Sequence, residues 1–380
     1  MENSKNKLRL GLAVLVVFCV FSSVLIAGEL EPSAPPSSGG TMKTLDEVEP
    51  RIPIHEKDLP LYITEPGSYY FAENLDFGKE LLAAIVINTG DVTIDLCGFT
   101  LTGHNKCDYG IYCQEQNNVK VRNGVVTYFK NNGIHMPGDS HVVEDIRIKG
   151  TAVGIYLGDA CRVNNCTVMY PTSIGIRVFD SCIVSNCVVR EDLTPQCSTG
   201  IMCGEHANVF NCNVYSTLNK GIIAFCYASV KNCTVAKTED AGVYSGSGSV
   251  ISGCSIYNCG KGIRAEYDGY IHHNNVYQCI DEAISLGYNT KVKDNKIEAG
   301  HKGIVGLYHN MLISNVINHT ATAVEVQGNN LIEGNIIDEC STGLDMIKDD
   351  NLYLNNRLHT TFSDYANETD DNDGGGNLSY

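Results

Sequence analysis

A pair made of a small residue and an aliphatic residue recurs through most of this chain of 380 residues. Successive pairs lie 20 to 25 residues apart. Their first residues are Gly110, Gly133, Gly154, Gly175, Gly200, Gly221, Gly242, Gly262, Ala283, Gly303, Ala323 and Gly343. Because a unit of this length made only of strands cannot enclose a core alone, successive units must stack on one another.

A second motif, aliphatic-x-x-Cys/Asn-x-aliphatic, follows most of these glycines. Its central column reads Cys166, Cys187, Cys212, Cys233, Cys254, then Asn274, Asn295, Asn315, Asn335 and Asn356. Apolar, mostly β-branched residues alternate with period two around it, which predicts short strands joined by tight turns. Stacked Asn side chains can hydrogen-bond along the stack, and Cys fills the same inward position as a small apolar residue.

The repeat therefore predicts an all-β parallel β-helix of about twelve coils. Over about residues 81–360 the chain resembles the right-handed parallel β-helix repeat family of pectin-lyase-like fold. The segment 63–70, followed by 92–103, is similar to the start of exported, mostly uncharacterised bacterial members. We expect residues 51–80 to form an N-terminal cap over the first coil's exposed edge.

Both ends of the chain differ in composition from the repeat. Residues 1–28 combine a basic start with the apolar run 10–26 and a small pair, Ala27-Gly28, which is typical of a cleaved export signal. An uncleaved membrane anchor is the alternative, since about 17–25 apolar residues can span a bilayer. Residues 29–50 read as a flexible linker and 361–380 as an acidic, Gly-rich tail. We therefore expect a secreted or cell-surface protein, with membrane contact only if the signal stays uncleaved.

Charge and cysteine content narrow the partners and the chemistry. The chain has 27 Lys and Arg against 44 Asp and Glu, a formal net charge of −17. Such acidity argues against nucleic acid or an anionic membrane surface as the main partner. The 17 Cys would suggest disulfides in an exported protein. However, parallel stacking keeps neighbouring Cβ atoms ~4.8 Å apart, whereas a disulfide needs roughly 3.5–4.5 Å, so we expect mostly buried thiols.

The residue two positions after each glycine is expected to point outward. The first four of these residues are Tyr112, His135, Tyr156 and Arg177. The family resemblance implies that carbohydrate-active β-helices hold substrate in a shallow groove along this first sheet. His, Tyr and Arg can transfer a proton and neutralise a uronate, as β-elimination requires. His135, Tyr156 and Arg177 are therefore candidate catalytic residues; the alternative is an ordinary solvated strand face.

The outward row and one further column contain candidate binding residues. Tyr112 and the later outward residues Tyr244 and Arg264 extend the proposed groove, and Tyr267, Tyr288 and Tyr308 form a column three positions further along each coil. These tyrosines could contact sugars or simply form an aromatic ladder that stabilises the stack. Earlier in the same column stand Asp159, Asp180 and Glu205, where close carboxylates could hold calcium, the one cofactor we consider, or form a charged turn.

Two functions remain open from the sequence. The first is an exported protein that binds or processes polysaccharide or a surface glycan along the first sheet. If that protein is an enzyme, it is a polysaccharide lyase or a glycoside hydrolase. The second is a non-catalytic structural or adhesion rod at the cell surface. A four-residue insertion around Glu191–Gln196 makes one longer loop beside Arg177 and Met202, which suits binding and catalysis equally.

Overall fold

Each coil of the structure makes three short strands. In a typical coil, Val153–Leu157 is followed by Arg162–Asn164 and Thr167–Met169. Every strand pairs in parallel with the corresponding strand of the next coil, as Ile155 does with Ile176. The coils therefore stack into three parallel sheets, named here face 1, face 2 and face 3 in the order in which a coil passes through them.

The structure is a computed structural model, and it describes residues 50–191, 197–367 and 372–379. The predicted signal (1–28) and nearly all of the predicted linker (29–50) lie outside the described residues, as does most of the insertion at 191–196. The described part of the chain contains a single helical element, the 3-10 turn Glu56–Asp58. Within that part, no helix has the length and apolar character needed to cross a membrane.

Seven long strands run through the corner between two faces, and the remaining strands belong to one face each. Face 1 comprises Leu61–Ile63, Ala83–Ile87, Tyr109–Tyr112, Asn132–Met136, Val153–Leu157, Ile174–Arg177, Thr199–Cys203, Lys220–Ala224, Ala241–Ser245 and Lys261–Tyr267. Face 2 comprises Ile52–Ile54, Gly67–Phe71, Val92–Asp95, Arg162–Asn164, Ile183–Ser185, Asn208–Phe210, Ser229–Lys231, Val250–Ser252, Tyr270–His272, Lys291–Lys293, Met311–Ile313, Leu331–Glu333, Leu352–Leu354 and Asn372–Asp373. Face 3 comprises Leu75–Asp76, Thr100–Thr102, Thr167–Met169, Val188–Arg190, Asn213–Thr217, Thr234–Thr238, Ser255–Tyr257 and Leu378–Ser379.

The long strands complete the three stacks. Val119–Thr127 and Val142–Lys149 pass from face 2 to face 3. The other five pass from face 3 to face 1 of the next coil: Asn275–Tyr288, Lys296–Gly306, Val316–Val326, Ile336–Met346 and Arg357–Ala366. Pairing along the whole stack is parallel, which confirms the predicted all-β, right-handed parallel β-helix.

The stack has about fifteen coils instead of the predicted twelve. The additional face 1 strands are Leu61–Ile63 and Ala83–Ile87 at one end and residues 363–366 at the other. The two outermost coils lack a pair of a small and an aliphatic residue, whereas the coil of Ala83–Ile87 has one, Ala84-Ile85, which the repeat count overlooked. The cap expected from residues 51–80 is not confirmed. Strands of this segment pair in parallel with the next coil, as Leu61 does with Ile85.

The described residues of the predicted tail also join the stack. Asn372–Asp373 pairs with face 2 and Leu378–Ser379 with face 3, although most of residues 373–379 are exposed.

Close approach between coils explains the glycine of each repeat. A Cβ atom at Gly154 would lie 2.5 Å from Cγ1 of Val168 and 2.5 Å from the carbonyl oxygen of Gly175. No side chain fits at that separation. The aliphatic residue that follows, such as Ile155, points inward and is fully buried in one continuous apolar core. The residue after that points outward, as predicted.

The central column of the second motif lies in the corner between face 2 and face 3. The residue before it has left-handed backbone geometry, with φ of 52° at Asn165 and 64° at Gly253, conformations that Asn and Gly adopt most readily. In the later coils the Oδ1 atom of Asn315 accepts hydrogen bonds from the backbone N–H and the side-chain amide of Asn295, at 3.1 and 3.0 Å. The predicted asparagine ladder is therefore present and buried.

A second ladder, which the sequence reasoning missed, occupies the corner between face 1 and face 2. Asn310 donates its backbone N–H to Oδ1 of Asn330 at 2.9 Å, and Asn330 donates to Oδ1 of Asn351 at 3.0 Å. In earlier coils the acceptor is a sulfur, as in the 3.2 Å contact from the Cys161 N–H to Sγ of Cys182. Side chains of one coil thus accept backbone donors of the coil before it at two of the three corners.

None of the sixteen Cys of the described residues forms a disulfide, and fourteen of them are buried; Cys97 is exposed and Cys226 is partly exposed. Burial raises the pKa of Cys107 to about 11 and the pKa values of Cys203 and Cys279 to about 12. These thiols remain protonated at neutral pH, as expected of small apolar fillers of the core.

His141 begins the second ladder and has no exposed surface. Its Nδ1 atom accepts the backbone N–H of Val119 at 3.1 Å. This requires a neutral imidazole, because both ring nitrogens of a protonated one are donors. Burial lowers the pKa of His141 to about 4. In the unfolded chain the same group has a pKa near 6.5, so the unfolded state binds more protons between these two values.

We predict that acid destabilises the stack through His141. Between pH 7 and pH 5 this one group should lower the free energy of unfolding by about 2 kcal/mol. His141→Asn keeps an acceptor for the Val119 N–H, as Asn does elsewhere in this ladder, and does not titrate. Thermal unfolding at both pH values should show a smaller acid-induced fall in Tm for this variant. An equal fall in variant and parent would contradict the assignment.

Candidate functional site

Outward residues of face 1 form one continuous row that runs along the stack. In register it reads Tyr112, His135, Tyr156, Arg177, Met202, Ile223, Tyr244, Arg264, Ser285, Val305, Glu325 and Asp345. All three candidate catalytic residues are therefore neighbours on adjacent coils, next to Tyr112. Met202 and Ile223 separate this group from Tyr244 and Arg264.

The rings of the first group stack on one another. The ring centres of Tyr112 and His135 are 5.4 Å apart, and those of His135 and Tyr156 are 4.7 Å apart. The Arg177 guanidinium then lies 5.2 Å from the centre of the Tyr156 ring and 5.2 Å from that of Phe179. The ring faces are thus covered by neighbours, and the row presents mainly ring edges and polar tips to a ligand.

His135 is held in one tautomer by a neighbour on its own strand. Its Nδ1 atom lies 2.7 Å from Nδ2 of Asn132. Because an amide nitrogen only donates, Nδ1 accepts and the ring proton of the neutral form is on Nε2. Burial lowers the pKa of His135 below 6.5, so the imidazole is neutral at neutral pH.

A pocket opens beside Arg177 at the end of the face 1 strands. It has a volume of about 240 Å³. We call it the face 1 pocket, and its side-chain lining comprises Arg177, Val178, Phe179, Asp180, Met202, Glu205 and Phe225. The Phe225 side chain is 43% exposed, which is unusual for a large apolar ring. The pocket therefore combines an apolar aromatic wall with one guanidinium and two carboxylates.

Phe179 and Phe225 are pocket residues that sequence reasoning missed. Both follow the last residue of a face 1 strand by one or two positions, where the chain turns the corner to face 2. The period-two rule gives a side chain's direction only inside a strand, so it made no prediction there. The available signal was an aromatic residue at a corner of two nearby coils.

Tyr244 and Arg264 form a second polar group further along face 1. The Tyr244 hydroxyl donates a hydrogen bond to the Glu266 carboxylate, and Arg264 lies 5.8 Å from the centre of the Tyr244 ring. Burial, together with this carboxylate, raises the pKa of Tyr244 to about 12. Tyr244 is therefore a hydrogen-bonding phenol at neutral pH and not a base.

The predicted tyrosine column is also present, at the corner beyond face 1. The ring centres of Tyr267 and Tyr288 are 5.6 Å apart, and those of Tyr288 and Tyr308 are 5.8 Å apart, with nearly parallel planes. Lys348 Nζ lies 2.7 Å from the Tyr308 hydroxyl. This geometry is an aromatic ladder along the stack, and its outer edge is exposed at Tyr267 and Tyr288.

The candidate metal ligands point at the backbone of the next coil. Oδ1 of Asp159 accepts the N–H of Asp180 at 2.9 Å, and Oδ1 of Asp180 accepts the N–H of Glu205 at 2.8 Å. In the described part of the chain, no group of three His, Cys, Asp or Glu side chains has the geometry to hold a metal ion. These residues lie in one column, as predicted. However, the Asp159 and Asp180 carboxylates accept backbone N–H groups of the next coil, so they form a third short ladder.

We predict that calcium does not stabilise the protein through this column. If Asp159 and Asp180 serve only the backbone, Tm in millimolar calcium should equal Tm in a chelator. The variant Asp180→Asn keeps an acceptor for the Glu205 N–H and should behave in the same way. A calcium-dependent rise in Tm that disappears in Asp180→Asn would instead establish a calcium site here.

Comparison with known proteins agrees with the architecture. A family model described as "Right handed beta helix region" matches residues 83–235. This chain is a right-handed parallel β-helix protein. The matched residues make up less than half of the chain, and over them the sequence-based resemblance to right-handed β-helix proteins is confirmed. No curated protein matches the sequence of this β-helix chain.

Several solved structures share the fold at low identity. A tailspike protein variant of E. coli bacteriophage HK620, in complex with a hexasaccharide, is 11% identical with a TM-score of 0.55, covering 78% of this chain and 69% of its own. Another variant of that tailspike, with a pentasaccharide, is 12% identical with a TM-score of 0.54, covering 88% and 76%. The catalytic unit of a GH87 α-1,3-glucanase from Streptomyces thermodiastaticus is 12% identical with a TM-score of 0.49, covering 91% and 70%. At such identities the likeness establishes the fold alone.

Proposed function

We propose that this β-helix protein binds a glycan along face 1, with one sugar residue seated in the face 1 pocket. The observation that carries the proposal is the composition of that pocket. Phe225, Phe179 and Met202 form an apolar wall, while Arg177 and the carboxylates of Asp180 and Glu205 supply donors and acceptors. A pyranose ring has this same division, with apolar C–H groups on its faces and hydroxyls around its edge.

The size and setting of the pocket suit a polymer. At about 240 Å³ it lies below the range of about 300–1,000 Å³ typical of sites for drug-sized ligands, so it holds little more than one ring. The row of ring edges from Tyr156 back to Tyr112 continues from it along the stack. Neighbouring sugar residues could hydrogen-bond to the polar tips of that row.

The fold comparison supports the same class of ligand. The two tailspike structures with TM-scores above 0.5 are complexes with a hexasaccharide and a pentasaccharide. They support the proposal that the surface of this fold can hold an oligosaccharide. The ligand of the present chain is inferred from its own pocket.

Catalysis by His135, Tyr156 and Arg177 is the second candidate, and one observation favours it. The lowered pKa of His135 leaves its imidazole neutral at neutral pH, so the ring can act as a base once the hydrogen bond from Asn132 to its Nδ1 is broken. Arg177, two coils away in the same row, carries the positive charge that a uronate carboxylate would need. A polysaccharide lyase is the activity that this row would support.

The proposed place of action is outside the cytoplasm, at the cell surface or in the medium. It rests on the export pattern of residues 1–28, and the polymeric glycans proposed as ligands are found there. The non-catalytic structural or adhesion rod is the other use of the same binding surface, and it differs from the enzyme only in turnover.

Binding tests the proposal directly. A glycan array with the intact protein identifies the polymer, and calorimetry then gives its affinity. Phe225→Ala and Arg177→Ala should each weaken binding about tenfold or more, because each removes one wall of the pocket. Phe362→Ala, which removes an 88% exposed ring far from the pocket, is the matched control and should bind as the parent does.

The outcomes separate the alternatives. Unchanged affinity in both pocket variants, or equal loss in Phe362→Ala, would contradict a site in the face 1 pocket. Incubation of the bound polymer should reveal unsaturated uronate absorbance if the row is a lyase site, and this signal should vanish in His135→Ala. Binding without any product would leave the binding rod as the function.

A further inference from the structure

Face 2 carries a cluster of basic residues that neither the glycan proposal nor the ladders use. Lys231, His272 and Lys293 lie in one outward column, with Ser252 between the first two. Lys291 lies in the neighbouring column, and His273 follows at the corner. We call these five residues, Lys231, His272, His273, Lys291 and Lys293, the basic patch.

The basic patch contrasts with the charge of the chain as a whole, which is −17. Four consecutive face 2 strands, from Ser229–Lys231 to Lys291–Lys293, have no carboxylate at their outward positions. Asp294 contacts Lys293 at 3.4 Å and His273 at 3.7 Å. Among the described residues, neither Lys231 nor Lys291 forms an ion pair with a carboxylate, so net positive charge remains.

The ionisation of His272 reports the local field. Burial lowers its pKa, and the positive charges of His273, Lys231 and Lys293 lower it further, against the opposing charge of Asp294. Groups on three separate coils therefore act on the same point. Their summed effect is the field expected of a site that attracts anions.

An aromatic ring lies at the centre of the basic patch. The ring centres of Tyr270 and His272 are 4.3 Å apart, and Lys291 Nζ lies 5.7 Å from the centre of the Tyr270 ring. The surrounding strands form a continuous open sheet and not a cavity. Such a surface suits an extended chain lying along the stack, whose charged groups meet Lys231 on one coil and Lys291 and Lys293 three coils further on.

We propose that the basic patch binds an anionic glycan, a carboxylated or sulfated polysaccharide, along face 2. This site is separate from the face 1 pocket and does not depend on it. A glycan fits better than a nucleic acid, because a nucleic acid needs many phosphate contacts and a broadly basic surface. Here only a few cations interrupt a strongly acidic molecule.

The test uses the intact protein and two probes, heparin for sulfate and polygalacturonate for carboxylate. Binding of at least one probe is expected, and it should weaken as salt is raised. The triple variant Lys231→Ala, Lys291→Ala, Lys293→Ala should lose about tenfold or more in affinity for it. Phe362→Ala, which removes an exposed ring outside both proposed sites, should leave this binding unchanged.

A matched control separates the basic patch from net charge. Lys57→Ala, Lys106→Ala, Lys130→Ala removes three exposed lysines from the first coils and changes the net charge by the same amount. It should retain parental affinity, and both triple variants should keep the parental circular dichroism and Tm. Absence of binding to both probes would overturn the proposal. So would equal loss in the two triple variants, or single-stranded DNA binding as tightly as the glycan at the same salt.

Discussion

The architecture depends on the way one coil satisfies the backbone of its neighbour. Where the chain bends at the two corners that hold the ladders, some backbone N–H groups have no backbone acceptor in the next coil. In this chain, side chains of the next coil accept hydrogen bonds from these corner N–H groups, as Oδ1 of Asn315 does from the N–H of Asn295. Buried donors left without partners would each cost about 1–3 kcal/mol, so these ladders allow the corners to be buried at all.

The ladders also explain how function can be added to so regular a molecule. Because the coils are locked in register, any outward position becomes a row of side chains with a fixed spacing. Face 1 uses such a row for rings that end at Arg177, and face 2 uses another for Lys231, His272 and Lys293. The corners within the described residues are short, so both proposed sites are shallow and suit extended polymers.

The sequence predicted the fold and the columns well because both follow from one period. Ile155 and Tyr156 were placed correctly as core and surface, since each role recurs in the next coil. The two outermost coils were missed because they lack the pair of a small and an aliphatic residue, and the pair Ala84-Ile85 of the third was overlooked. The second ladder, with Asn310 and Asn330, was missed although its members also recur at coil spacing.

The candidate site could be predicted only where a residue lies inside a strand. Tyr112, His135, Tyr156 and Arg177 were placed in one row, and the structure has them there. Corner residues follow no period-two rule, so the Phe225 side of the pocket was not foreseen. The carboxylate of Asp180 was placed in the correct column, but its turn toward the backbone of Glu205 depends on corner geometry.

Amide hydrogen exchange tests the central claim about the corners most directly. The backbone amides of Asn295, Asn315 and Asn335 lie at corners but donate to side chains of the next coil. They should exchange as slowly as amides within the neighbouring strands. If these amides instead exchange as rapidly as those of the exposed segment 78–80, the side-chain ladders do not hold the coils together and the account is wrong.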